Sequence, residues 1–168
     1  PLFVYLTALP LAVWNSPIGA TAFVGLISTI TVPLIYLLLR GQFGRLVSIA
    51  AAGLFATAPW SVLYGRHLWQ PDVLPIVGVA LLWALLAVIE RNRSRLAVLV
   101  PVCLSLALQL NFSTLALFVP AAAVLAYRGR AVHWRALGWG VGAGVRLLAP
   151  WLAHNAKHGF RDFVALAS

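Results

Sequence analysis

Ten consecutive positions, Leu63-Tyr64-Gly65-Arg66-His67-Leu68-Trp69-Gln70-Pro71-Asp72, hold a guanidinium, a carboxylate, an imidazole, an amide and two aromatic rings. That mixture suits a substrate carrying both phosphate and hydroxyl groups. A guanidinium grips phosphate oxygens with paired hydrogen bonds. A carboxylate assists a base or binds a hydroxylated acceptor. An indole between the two, as Trp69 is, can stack on a sugar ring.

Each group also has a plainer reading. Asp72 stands at the start of an apolar run, where the positive end of a helix dipole favours a carboxylate and an N-cap is expected. Capping and chemistry are compatible, because a capped carboxylate is held at a fixed point. Arg66 can snorkel to lipid headgroups. Trp60, Tyr64 and Trp69 can form an interfacial aromatic belt, which is the favoured reading for Trp60. His67 is either a base or polar filler beside a membrane surface.

The elements that must position these groups are apolar. Hydrophobic residues make up 62% of the chain and charged residues 9%, with a mean hydropathy of +0.96. A soluble domain carries about a quarter charged residues, so the composition points to an integral membrane protein. The net charge of +9 sets twelve Lys and Arg against Asp72, Glu90 and Asp162. In a soluble protein such an excess suggests nucleic acid. Here the cations lie between apolar runs, where membrane orientation accounts for them, and no nucleic-acid partner is expected. Cys103 is alone in an apolar run and offers neither a disulfide nor a metal cluster. The chain has no Met, begins at Pro1 in apolar sequence and carries no recognisable signal peptide, so it reads as an internal piece of a longer protein.

The pattern predicts an all-α fold, a polytopic transmembrane helix bundle forming one partial membrane domain over 1–168. Residues 1–14 are too short to cross alone, since about twenty are needed. Spans are expected at 17–39, 46–62, 73–89 and 136–152, with short helices at 96–110 and 114–127. The segment 46–62 is rich in Ala and Gly, which predicts burial in the bundle. The break at 109–114 carries Gln109, Asn111, Ser113 and Thr114, either as a turn, the favoured reading, or as the lining of a polar pocket. Arg146, costly inside a span, is expected to face protein, water or a phosphate. Alternate threading puts Arg40, Arg45, Arg91, Arg93, Arg95, Arg128, Arg130 and Arg135 on one side. The other side receives Arg66, Lys157 and Arg161, with Arg146 near it. The positive-inside rule makes the first side cytoplasmic, and the loop 63–72, the break and the tail 153–168 face outward.

The chain has no P-loop, dinucleotide fingerprint or G-x-S-x-G. His154, Asn155, Lys157 and His158 lack the carboxylate or thiolate that would complete a metal set. No metal site is expected from these residues alone, and a divalent ion shared with groups outside the chain stays open.

Several stretches in order carry a family resemblance: Pro1-Leu2-Phe3-Val4-Tyr5-Leu6, Tyr36-Leu37-Leu38-Leu39-Arg40 through Phe43-Gly44-Arg45, and Ala58-Pro59 with Tyr64-Gly65-Arg66 and Asp72. Asn155-Ala156-Lys157-His158-Gly159 closes the series. Over nearly its whole length the chain resembles the C-type, multi-spanning glycosyltransferases that take sugars from polyprenyl-phosphate carriers. Protein O-mannosyltransferases and the aminoarabinose transferase of lipid A belong there. The resemblance implies an inverting sugar transfer at the outer face of a bacterial cytoplasmic membrane. The donor would be a polyprenyl-phosphate sugar and the acceptor a protein, lipid or glycan. It matches Asp72 to an auxiliary catalytic acid and Arg66 to an arginine approaching the carrier phosphate. His67, Trp69, Gln70, Asn111 and Arg146 are the further candidates for substrate binding. The family's main catalytic acid lies on an outer loop before the segment matching Pro1, and its soluble C-terminal region is also missing, so the fragment by itself is expected to be inactive. A transporter or flippase module, or a non-catalytic membrane scaffold, is the competing reading; discontinuous helices such as those around 109–114 favour transport.

Overall fold

The computed structural model describes residues 2–157, and their side chains apart from those of residues 64, 91–94, 131, 154 and 155. Of the expected outer tail, residues 158–168, with His158, Arg161 and Asp162, lie outside the described residues.

Local rules set most helix ends. Helix α1 (Leu2–Val13) is followed by Ser16, whose Oγ accepts the Ile18 N–H at 3.3 Å and caps α2 (Pro17–Thr57) with Pro17 in the first turn. Helix α2 is interrupted at Gly44, where φ is 78° and ψ is 175°. Only glycine takes that conformation without strain, and there the chain folds back. A Cβ on Gly25 would lie 3.2 Å from the Gly65 carbonyl oxygen, and one on Gly65 would lie 3.3 Å from Ser28 Oγ. The two arms of α2 therefore form a hairpin whose open end holds residues 25–28 beside 61–65. Thr31 and Ser48 are fully buried, and their hydroxyls donate to the carbonyls of Ile27 and Gly44 at 2.8 and 2.6 Å. Burial thus leaves neither hydroxyl unsatisfied.

The returning arm stops at Thr57, short of Val62. Pro59 disfavours the helical region for Ala58, which is extended at ψ 128°. The short helix α3 (Pro59–Tyr64) starts afresh from that proline. A 3₁₀ turn at Gln70–Val73 leads into α4 (Leu74–Ile89), and a second at Arg91–Val98 leads into α5 (Leu99–Leu110). A third at Phe112–Leu117 precedes α6 (Phe118–Arg128), and α7 runs over Trp134–Lys157.

The core lies between α4 and α5. Val77, Leu81 and Val88 meet Val100, Leu104 and Leu110, with Ala121 of α6 closing one side. Helix α7 comes closest of all: a Cβ on Gly140 would fall onto the Val98 carbonyl, and one on Gly144 would lie 2.5 Å from Ser105 Oγ. The expectation that 46–62 is buried is corrected. On the returning arm of α2 only Ser48 and Ala52 are buried, while Leu46 is 82% and Leu54 72% exposed. Gly53 has nothing within 4 Å.

Long apolar side chains stand bare all around the bundle, among them Val13, Ile18 and Trp139. Patches this extensive are not stable in water and are ordinary in lipid. The segments Pro17–Thr57 and Gln70–Ile89 are long and apolar enough to cross a bilayer, with mean hydropathies of 2.2 and 2.4. Among the described residues the protein is an all-α membrane helix bundle with no strand.

Gly44→Ala is expected to cost about 1–3 kcal/mol because its Cβ is strained at this φ. Gly41→Ala, three residues earlier in ordinary helix with nothing within 4 Å, is expected to be neutral or mildly stabilising. Thermal unfolding of the two variants in detergent checks the difference.

Candidate functional site

At the open end of the α2 hairpin, two adjoining cavities lie between its arms, α3 and the start of α4. The smaller holds about 160 Å³ and is lined by Ser28, Phe55, Trp60, Ser61, Trp69 and Asp72, among others. The larger holds about 630 Å³, shares Ser28, Phe55, Ser61 and Gly65 with the first, and reaches Thr29, Pro33 and Arg66. Together they make a cleft with a carboxylate in one part and a guanidinium in the other.

Asp72 is held from behind. The residue is 5% exposed, and its Oδ2 accepts the Trp69 N–H at 2.8 Å, while its own N–H donates to the Trp69 carbonyl at 3.1 Å. This is the acidic half of a capping box on the 3₁₀ turn Gln70–Val73, reaching backward to the residue before it. Asp72 therefore caps that turn and not α4 directly. Its other oxygen, Oδ1, is buried without a hydrogen-bond partner. A buried, unpaired carboxylate oxygen costs free energy until a donor reaches it.

Arg66 is exposed beside the larger cavity, and its backbone N–H donates to the Leu63 carbonyl at 3.2 Å. His67 and Gln70 are exposed on the same loop, and Trp69, half exposed, lines the smaller cavity. The loop thus gathers Arg66, His67, Trp69, Gln70 and Asp72 at one end of the hairpin.

Asn111 and Arg146 are not among the residues lining either cavity. Asn111 Oδ1 accepts the Ser113 N–H at 3.0 Å and the Ser113 hydroxyl at 2.9 Å, and Thr114 Oγ1 donates to the Asn111 carbonyl at 2.6 Å. The polar break is a helix start whose side chains are used in capping. Gln109 Nε2 donates to the Leu147 carbonyl at 3.3 Å and ties the end of α5 to α7, while the neighbouring Arg146 is exposed. Phe112 and Trp151 pack with ring centroids 5.7 Å apart beside that tie. Among the described residues no three His, Cys, Asp or Glu come together in a metal-binding group.

Sequence reasoning passed over Ser28, Phe55 and Ser61. Ser28 is the one with a signal, a hydroxyl in an apolar run twelve residues after the cap at Ser16. Its role depends on the fold-back at Gly44, which no short-range pattern reveals.

Asp72→Ala is expected to lower stability by about 1 kcal/mol through loss of the cap. Asp72→Asn keeps an oxygen for the Trp69 N–H and is expected to lose less than Asp72→Ala. Melting temperatures of the two variants test whether the carboxylate's charge is needed to hold the loop.

The family model described as dolichyl-phosphate-mannose-protein mannosyltransferase matches residues 1–154. No curated protein and no solved structure matches the chain.

Proposed function

The chain belongs to the dolichyl-phosphate-mannose-protein mannosyltransferase family, and from that premise we propose that it contributes the second outer loop of a sugar-transfer site at the external face of a bacterial cytoplasmic membrane. The family is one of membrane glycosyltransferases that draw on a lipid-linked sugar donor. In this reading the donor is a polyprenyl-phosphate sugar, the acceptor hydroxyl belongs to a protein, lipid or glycan, and the chain crosses the membrane several times with its Arg-rich turns inside.

The observation that carries the proposal is the cleft lined by Arg66 in one part and by Asp72 in the other. A base takes the acceptor hydroxyl's proton, and the acceptor oxygen attacks the anomeric carbon from the side opposite the carrier. The bond between that carbon and the phosphate oxygen breaks, and the lipid phosphate leaves with the electron pair. Arg66 neutralises the charge gathering on the phosphate, which is electrostatic stabilisation of the transition state. Asp72 acts in an auxiliary role, orienting the acceptor from the wall of the smaller cavity. Trp69 offers its indole to the sugar, and His67 and Gln70 bind at the rim. In this proposal the transfer inverts the anomeric centre, because attack and departure occur on opposite faces.

The test is transfer itself. Vesicles carrying the full-length protein and a radiolabelled polyprenyl-phosphate sugar are expected to release lipid phosphate and place label on the acceptor. Movement of intact donor across the bilayer without that release would overturn the proposal in favour of transport.

A further inference from the structure

A hydroxyl on a helix in lipid has one partner always in reach, the carbonyl four residues earlier. Within α2, Thr21, Thr29, Thr31, Ser48 and Thr57 all use it. They donate at 2.6–3.0 Å to the carbonyls of Pro17, Gly25, Ile27, Gly44 and Gly53. Ser28 is the exception. Among the described residues its hydroxyl makes no hydrogen bond, although the Val24 carbonyl stands at the same spacing. Ser61 of α3 is likewise without a partner among the described residues. Both serines are half-buried, and both line the smaller and the larger cavity of the cleft.

A third wall residue leaves Ser28 uncovered. Gly65 also lines both cavities, and its φ of −65° and ψ of −5° suit any residue. What glycine supplies there is room. An added Cβ would lie 3.3 Å from Ser28 Oγ and 3.5 Å from Ser28 Cβ, so the Ser28 side chain is directed at the α3 side of the cleft. A polar atom withdrawn from water and left unpaired costs free energy.

Position identifies the partner. Asp72 lines the smaller cavity and Arg66 the larger, with the two serines in the wall common to both. With the carrier phosphate at the guanidinium and the acceptor at the carboxylate, what lies between them is the transferred sugar. A serine hydroxyl donates and accepts, as a sugar hydroxyl does. A phosphate oxygen only accepts, and a guanidinium meets it better. We propose that Ser28 and Ser61 bind hydroxyl groups of the sugar on the lipid donor and so help to set which sugar the site holds. The inference rests on the donor placement proposed above, with the phosphate at Arg66.

The experiment measures equilibrium binding of two lipids to the full-length protein in detergent. One is polyprenyl-phosphate mannose, the sugar of the family's description, and the other is the same polyprenyl phosphate without sugar. Wild type is expected to hold the sugar-bearing lipid more tightly. Ser28→Ala and Ser61→Ala are each expected to weaken that lipid roughly two- to tenfold, the range of one neutral hydrogen bond, and to leave the bare lipid phosphate within about twofold. Thr21→Ala, which removes a back-bonded hydroxyl of the same helix, is expected to change neither. Alanine preserves the close approach of α2 to Gly65, so serines that served packing alone would leave both affinities unchanged, and that result overturns the proposal. Equal weakening of the two lipids overturns it as well, by assigning the serines to the phosphate, and so does equal wild-type affinity for both. Should one variant fail to fold, by loss of helical circular dichroism, the other decides. Binding is read without turnover. A protein that shows the serine-dependent preference and transfers no sugar would lose the proposed reaction and keep this site.

Discussion

Arg66→Ala in the full-length protein is expected to lower kcat/KM for a polyprenyl-phosphate sugar by about a hundredfold or more, the loss typical for one preorganised donor at a developing oxyanion. The argument begins with cost. Arg66 stands exposed beside the larger cavity, outside the run of arginines that orientation accounts for. Its part in the fold is a backbone bond to the Leu63 carbonyl, which alanine keeps. A guanidinium that merely snorkelled to headgroups would be lost with little consequence for turnover. One that receives the leaving phosphate matters most when that charge is greatest, so kcat should fall as well as donor affinity. Arg66→Lys retains the charge and loses the two-pronged geometry, and is expected to fall between the two. Initial rates against donor concentration, with acceptor saturating, give both parameters. Wild-type turnover in Arg66→Ala would end the role assigned to this residue.

How much of this was legible beforehand follows from the range of each signal. The helical class and the membrane setting are properties of composition, and both are visible from the scarcity of charge. The Arg66–Asp72 loop is a local cluster, so its residues were found by type and spacing. What depends on two distant segments meeting was not. Ser28 and Ser61 share a cavity because Gly44 turns α2 back on itself, and one glycine in a basic turn does not announce that angle. Small residues misled for the same reason. Gly53 and the alanines of 46–62 suggested close packing, whereas glycines that meet the backbone of another segment are Gly25, in the first arm of α2, and Gly140 and Gly144 of α7. Composition says that close approach is possible and leaves open where it occurs. The break at 109–114 reads from sequence as a turn in preference to a pocket, and its hydroxyls and the Asn111 amide oxygen are engaged in capping.

Gly140→Leu is expected to be the most damaging single change in the helical frame, at more than about 3 kcal/mol, beyond ordinary overpacking because the obstruction is backbone. Even one added carbon at Gly140 meets the Val98 carbonyl, and it would lie 2.9 Å from Pro101 Cγ. One turn on, Gly144 faces Ser105 Oγ and the Pro101 carbonyl at 2.5 and 3.1 Å. The two glycines are four apart, so they form one stripe that lets α7 approach α5 closely, as small residues do between helices in lipid. Rotamer changes cannot relieve a clash with a carbonyl oxygen; α7 must move away, and the tie from Gln109 to Leu147 would part with it. Gly142 provides the control. It lies on the same helix between the two, with nothing within 4 Å, so Gly142→Leu adds the same side chain to an open face. Thermal unfolding in detergent should show a large loss for Gly140→Leu and little change for Gly142→Leu. Equal losses would mean that α7 presents a different face to α5. A defect confined to Gly140→Leu would establish that this stripe seats α7 on the core.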